Sequence, residues 1–126
     1  MSTRTLIYKD AEDSMSDNNY IEVTGDDFAE KVLNAAQTVV VMFSAAQSSA
    51  CEIQEPEVVA ISKEYQGRVS FARLNVEGEQ ALIDQWNIDG VPTLIFFKGG
   101  QEIHRIKGIM MRDKLRRQLE GVLLAN

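Results

Sequence analysis

Residues 38–43, Thr-Val-Val-Val-Met-Phe, constrain this chain more than any other segment, because they form an unbroken apolar and largely β-branched run. A strand with no polar alternation needs cover on both faces, the situation inside a parallel or mixed sheet sandwiched between helices. The flanking segments offer that cover. Residues 21–23 form a short strand, and Thr24, three residues before Asp27, opens a helix whose stripe is Phe28, Val32 and Ala36. Residues 51–65 read as a long helix with Ile53, Val58, Ile61 and Tyr65 inward, bent at Pro56 and ended by Gly67. Residues 69–76 make a second buried strand, Leu82 and Trp86 mark a short helix, and residues 91–97 are a third apolar run. Gly99-Gly100 signals a hairpin into a returning strand with Ile103 and Ile106, broken at Gly108. Met111, Leu115, Leu119 and Val122 line a last helix. The order βαβαβαββα predicts parallel neighbours joined by helical crossovers, plus an antiparallel closing hairpin. The class is α/β, one mixed sheet with helices on both faces.

A length of 126 residues suits one domain, and 44% apolar with 25% charged residues is an ordinary globular balance. Thirteen Lys and Arg against nineteen Asp and Glu leave a net charge of −6, the wrong sign for nucleic acid or an anionic membrane. Cys51 and His104 are the only residues of their kinds, so no intrachain disulfide and no four-ligand zinc site of the usual type is available. No metal and no cofactor is expected. No apolar run approaches the ~20 residues of a membrane span, and no basic stretch followed by an apolar segment opens the chain. The expected location is the cytoplasm. Residues 1–19 are crowded with Asp10, Glu12, Asp13, Asp17 and Asn18 around one apolar cluster, Leu6-Ile7-Tyr8. They are expected to form a flexible extension, with a transient strand at residues 5–8, ahead of a domain over residues 20–126.

Several segments, taken together in order and spacing, carry a resemblance. They are residues 39–43 ahead of a small polar loop, Ser48-Ser49-Ala50-Cys51 opening a helix, Pro56, Arg73-Leu74-Asn75, Gly90-Val91-Pro92-Thr93, Gly99-Gly100 and Gly108. From about Tyr20 to Leu124 the chain resembles the thioredoxin family. The resemblance implies a thioredoxin fold, a central mixed sheet of about five strands flanked by four helices, with Pro92 in cis before an inner strand. It also implies a shallow groove where Gln47, Ser48, Val91, Pro92 and Thr93 would hold an extended peptide. The family's usual activity is reduction of protein disulfides by a Cys-x-x-Cys pair.

Here the sequence departs from the pattern of the family it resembles. Dithiol exchange needs an attacking thiolate at a helix N-terminus and a second sulfur to resolve the mixed disulfide. Ser48 stands where the attacking cysteine would be, and a hydroxyl is too weak an acid to replace it. The family also usually has Trp before the first Cys, Gly-Pro between the pair and a buried Asp before the strand Phe; this chain has Gln47, Ser49, Ala50 and Met42. Met42 neither takes nor gives a proton. The Ser-x-x-Cys arrangement is also similar to that of chaperedoxin-type proteins, thioredoxin-like domains that hold unfolded clients. The expected function is therefore a polypeptide-binding or chaperone-type module without disulfide reductase turnover, with protein or extended-peptide partners. The alternative is a monothiol oxidoreductase or redox sensor acting through Cys51. Cys51 admits two readings, a small buried apolar residue or a thiol sharpened by the helix N-terminus.

The other candidates have plainer readings. His104, mid-strand, is expected to be solvated, and Arg112, Lys114, Arg116 and Arg117 to form a solvated basic face opposite Leu115 and Leu119. Trp86 is expected in the core or at the groove edge. Asp84 and Asp89 lack the spacing of an acid–base pair.

Overall fold

The computed structural model describes residues 19–126. Strand β1 (Tyr20–Val23) leads into a short π-helix (Ala29–Leu33), strand β2 (Thr38–Ser44), helix α1 (Ser49–Glu64), strand β3 (Val69–Asn75) and helix α2 (Gln80–Gln85). Strands β4 (Thr93–Lys98) and β5 (Gln101–Lys107) and helix α3 (Arg112–Ala125) complete the fold. The sheet order is β1-β3-β2-β4-β5. β3 lies parallel to both β1 and β2, β4 runs antiparallel to β2, and β5 closes the hairpin against β4.

The period-two geometry of the buried strands sorts their side chains into two cores. Val40, Met42, Phe71, Leu94 and Phe96 face α1 and α3, where Val58, Ile61, Tyr65, Leu115 and Leu119 meet them. Val39, Val41, Phe43, Leu74, Ile95 and Phe97 face the π-helix and α2, against Phe28, Val32 and Leu82. Every residue of β2 is buried, which is why its sequence carries no polar alternation. The hairpin turns through Gly99 and Gly100 at φ 61° and 80°, a left-handed pair that glycine adopts without a Cβ clash.

Three expected inward positions are not inward. Ile53 is half exposed and its neighbour Gln54 is fully buried, because the inward stripe of α1 is Cys51, Gln54, Val58 and Ile61. Position 53 lies about 100° off that stripe. Ala36 is exposed and beyond the first helix, whose wider turn closes with Asn34 N–H donating to Ala29 O at 2.9 Å. Met111 precedes the first turn of α3 and is exposed. The first helix does not start at Thr24 as expected: its N-cap is Phe28, with no side-chain cap hydrogen bond, and Thr24 and Asp27 close the turn ahead of it, the Thr24 N–H donating to Asp27 Oδ1 at 2.7 Å and the Asp26 N–H to Thr24 Oγ1 at 3.2 Å.

The strand expected at residues 5–8 lies outside the described residues, as does the extension assigned to residues 1–19 apart from Asn19. Asn19 itself is built into the domain. Its carbonyl accepts from Phe71 N–H at 3.1 Å, and its side-chain amide donates to Ser62 O and Val69 O.

Candidate functional site

Strand β2 ends at Ser44, and the chain crosses to α1 through a loop in which Ser48 N–H donates to Ala45 O at 3.3 Å. Ser48 is the N-cap of α1, with extended backbone (φ −96°, ψ 117°). Its Oγ accepts from Cys51 N–H at 3.1 Å and its carbonyl takes the first helical bond, from Glu52 N–H, also at 3.1 Å. Serine is among the best residues for this task, since a helix leaves its first N–H groups without partners. The hydroxyl at position 48 is thus spent on holding the helix start.

Cys51 lies one turn below and is buried, 5% exposed. Beside it opens a cleft of about 290 Å³ bounded by Glu22, Ser44, Cys51, Glu52, Glu55 and Arg73. Three elements furnish its charges. Glu22 on β1 and Arg73 on β3 are cross-strand partners, and Glu55 reaches over from α1. Arg73 contacts both carboxylates at 3.0 Å. Partial burial works against the Arg73 charge, but Glu22 and Glu55 outweigh it and raise the guanidinium above its ordinary value. Tyr20 donates to Glu55 Oε2 at 2.9 Å and lies 3.8 Å from Met42 Sδ. Burial, reinforced by Glu55, pushes the Tyr20 phenol far above its ordinary value, so it stays a proton donor. Met42 is fully buried behind it. No group at that position can accept a proton from Cys51.

The Val91–Pro92 peptide bond is cis. Thr93 Oγ1 donates to Gly90 O at 2.7 Å, and Pro92 O accepts from Gly108 N–H at 3.0 Å, which ties the segment to the end of β5. Of the five residues expected along a peptide groove, Gln47 is exposed, Ser48 and Val91 are half-buried, and Pro92 and Thr93 are buried. The cleft at Cys51 contains none of the five; it opens on the β1–β3 side of β2, whereas residues 91–93 lead into β4 on the other side.

The profile of the thioredoxin family matches residues 19–121. The chain belongs to the thioredoxin family. It is 33% identical over 102 residues to the Thioredoxin of Synechocystis sp., covering 81% of this chain and 95% of that protein. It is 30% identical over 99 residues to Thioredoxin 1 of Nostoc sp., covering 79% and 92%. It is 30% identical over 104 residues to the chloroplastic Thioredoxin X of Arabidopsis thaliana, covering 81% and 57%. This member carries Ser48 and Cys51 at the start of α1.

Two further features of this thioredoxin-family chain were missing from the sequence reading. Gln54, fully buried, donates from Nε2 to Met110 O at 3.0 Å and accepts Met110 N–H on Oε1 at 2.7 Å, clamping the loop before α3 to α1. Its spacing of three from Cys51 was the available signal, since it puts both on one helical face. The Tyr20–Glu55–Arg73–Glu22 chain had only one local sign, the register of Glu22 opposite Arg73, which requires the strand pairing to be known.

The remaining candidates are structural. His104 is not solvated: it is half-buried, 2.8 Å from Gln118 Oε1, with its ring edge-to-face on Phe96 at 5.2 Å. The basic face is not simply solvated either, because Arg112 is paired with Glu57 and Arg116 with Glu64, joining α3 to α1. Trp86 packs edge-to-face on Phe97 at 4.9 Å, and Asp89 pairs with Lys107 at 3.2 Å. Among the described residues, no helix is long and apolar enough to cross a membrane, and no three His, Cys, Asp or Glu side chains are grouped to hold a metal ion.

Proposed function

We propose that this chain is a thioredoxin-fold polypeptide-binding protein, chaperone-like and cytoplasmic, that does not turn over disulfides through a dithiol cycle. One observation carries the reading. The residue at the attacking position is a serine whose oxygen caps α1 by accepting from Cys51 N–H, so the helix start is intact while the nucleophile is gone. Without a second sulfur, a mixed disulfide at Cys51 has no partner inside the chain to release it. Met42 in the proton-accepting position removes the other half of the cycle. Gln47, Ser49 and Ala50 depart from the family's usual loop as well, while Pro92 and the scaffold glycines remain, and Gln47, Ser48, Val91, Pro92 and Thr93 are the residues that would hold an extended client. The test is insulin disulfide reduction with dithiothreitol, alongside suppression of aggregation of a chemically unfolded client protein. The expected result is no rate above the dithiothreitol background together with client-concentration-dependent holding. A rate equal to that of a dithiol thioredoxin would refute the reading.

The cleft beside Cys51 favours a second reading, monothiol exchange with external disulfides. In that reaction the Cys51 thiolate attacks one sulfur of a disulfide, forms the mixed disulfide and expels the other sulfur as thiolate. Intact-mass measurement after treatment with glutathione disulfide at neutral pH decides it: ready addition of one glutathione supports exchange, and an unmodified chain excludes it.

A further inference from the structure

The sheet ends at β5, and no strand lies along its outer side among the described residues. Which backbone groups face outward follows from the pairing with β4. Gly108 N–H donates to Pro92 O at 3.0 Å, and in an antiparallel ladder hydrogen-bonded pairs alternate with non-bonded ones. Ile106 and His104 therefore bond to Leu94 and Phe96, while the N–H and C=O groups of Arg105 and Lys107 point away from the sheet. An edge of seven residues is a template for a further strand. Beside it Ile103, Val122 and Ala125 line a mainly apolar groove of about 340 Å³ between β5 and α3, which Arg117, Gly121 and the His104–Gln118 pair also border.

The charges along this edge do not balance. On β5, Arg105 is paired with Glu102, and Lys107 with Asp89 of the preceding loop. On α3, Asp113 is held by Arg116, and Glu120 by Tyr65 and Arg68, towards α1. Lys98 donates to Asn126 O at 3.0 Å. Lys114, one turn before Gln118, and Arg117 are exposed, and their side chains have no partner among the described residues. Arg105, Lys107, Lys114 and Arg117 thus stand against Glu102 and Asp89. A second copy of this edge meets its own sign of charge, the device by which sheet edges avoid self-pairing. A strand bearing carboxylates meets the opposite sign.

We infer that the β5 edge docks an extended acidic segment of a partner protein, which adds a strand to the sheet. The partner's main chain bonds to the outward N–H and C=O groups of Arg105 and Lys107. Its alternate side chains point to opposite faces. On the face of Ile106 and His104, apolar side chains enter the groove against α3. On the other face, where Arg105 reaches Trp86 O and Lys107 reaches Asp89, carboxylates lie beside the two cations. This surface shares no residue with Gln47, Ser48, Val91, Pro92 and Thr93, so it stands independently of the peptide-holding reading.

The test is an amide NMR titration of the full chain with a capped synthetic peptide that alternates glutamate and valine and matches the seven residues of β5. Amides of Arg105 and Lys107 are expected to shift and to gain protection from hydrogen exchange. N-methylation of the peptide's glutamates removes the N–H groups that face β5 and is expected to abolish binding, as is lysine in place of glutamate. Lys107→Glu is expected to weaken binding by roughly two- to fivefold, the worth of one exposed cross-strand ion pair. Gly121 has open space where a Cβ would stand, so Gly121→Leu fills the groove without a clash and is expected to abolish the β5 shifts. Unshifted β5 amides, or equal binding by the N-methylated or the lysine peptide, overturn the inference. Shifts confined to residues 47, 48 and 91–93 overturn it in favour of the groove at Pro92. Shifts of β5 that grow with protein concentration in the absence of peptide overturn it in favour of a second copy.

Discussion

Replacing Gln54 with leucine removes two hydrogen bonds and nothing else of size. The side chain is fully buried, and its amide serves both the N–H and the carbonyl of Met110, at 2.7 and 3.0 Å. Each net bond is worth about 1 kcal/mol, and a backbone group left without a partner costs more. Met110 is only half-buried, so water partly repairs the loss, while leucine gains a little from its apolar contacts. The expected net destabilisation is about 2 kcal/mol, close to 6–10 °C in Tm for a domain of this size. Urea unfolding followed by fluorescence measures it directly, because Trp86 is the sole tryptophan and sits among Phe28 and Phe97. Ile53→Ala is the paired control. Half exposed, Ile53 is expected to cost no more than about 0.5 kcal/mol. A loss below about 0.5 kcal/mol for Q54L, or a larger loss for I53A, would refute the claim that the polar residue, not the apolar one, fastens α1 to the loop before α3.

Ser48→Ala deletes the cap on Cys51 N–H and is expected to lower stability by about 1 kcal/mol in the same assay, with Ser48→Gly costing less. Ser48→Cys places a second sulfur one turn from Cys51; mild oxidation is then expected to remove both thiols from Ellman titration and to bring measurable insulin reduction, slow because Met42 still accepts no proton. At alkaline pH, burial first and Glu120 second push the Tyr65 phenol up to about 12, and Tyr20 higher still. The folded state therefore keeps protons that the unfolded chain releases, so these phenols' contribution is whole below about pH 10 and drains away as pH climbs towards 12. Unfolding free energies between pH 9 and 12 are expected to fall along that course, and Tyr65→Phe to flatten the fall.

The order of strands and helices was legible because β2 and β4 are buried on both faces, which only long apolar runs satisfy, and because β3 keeps Val69, Phe71, Ala72 and Leu74 buried between its polar positions. Side-chain direction on α1 was less so. Ile53 next to Gln54 suggests an inward isoleucine by hydropathy, but Gln54 finds its partner in a backbone segment 56 residues away, which no local pattern shows. Ala36 failed for a different reason: spacing by four assumes an α-helix, whereas the first helix turns more widely and ends sooner. At the site, the absence of a second thiol and of an acid at position 42 could be read from the sequence alone. The cleft beside Cys51 could not, since its charges come from β1, β3 and α1 and meet only after the sheet has assembled. His104 was misplaced because alternation along β5 says nothing of Gln118, which α3 lays over it.

A chain with one sulfhydryl, tucked under the start of α1, has no internal covalent tie to gain or lose. Its melting temperature should therefore be the same in air as under strong reductant. Whatever the redox state of its surroundings, no cross-link between two points of its own chain opens or closes.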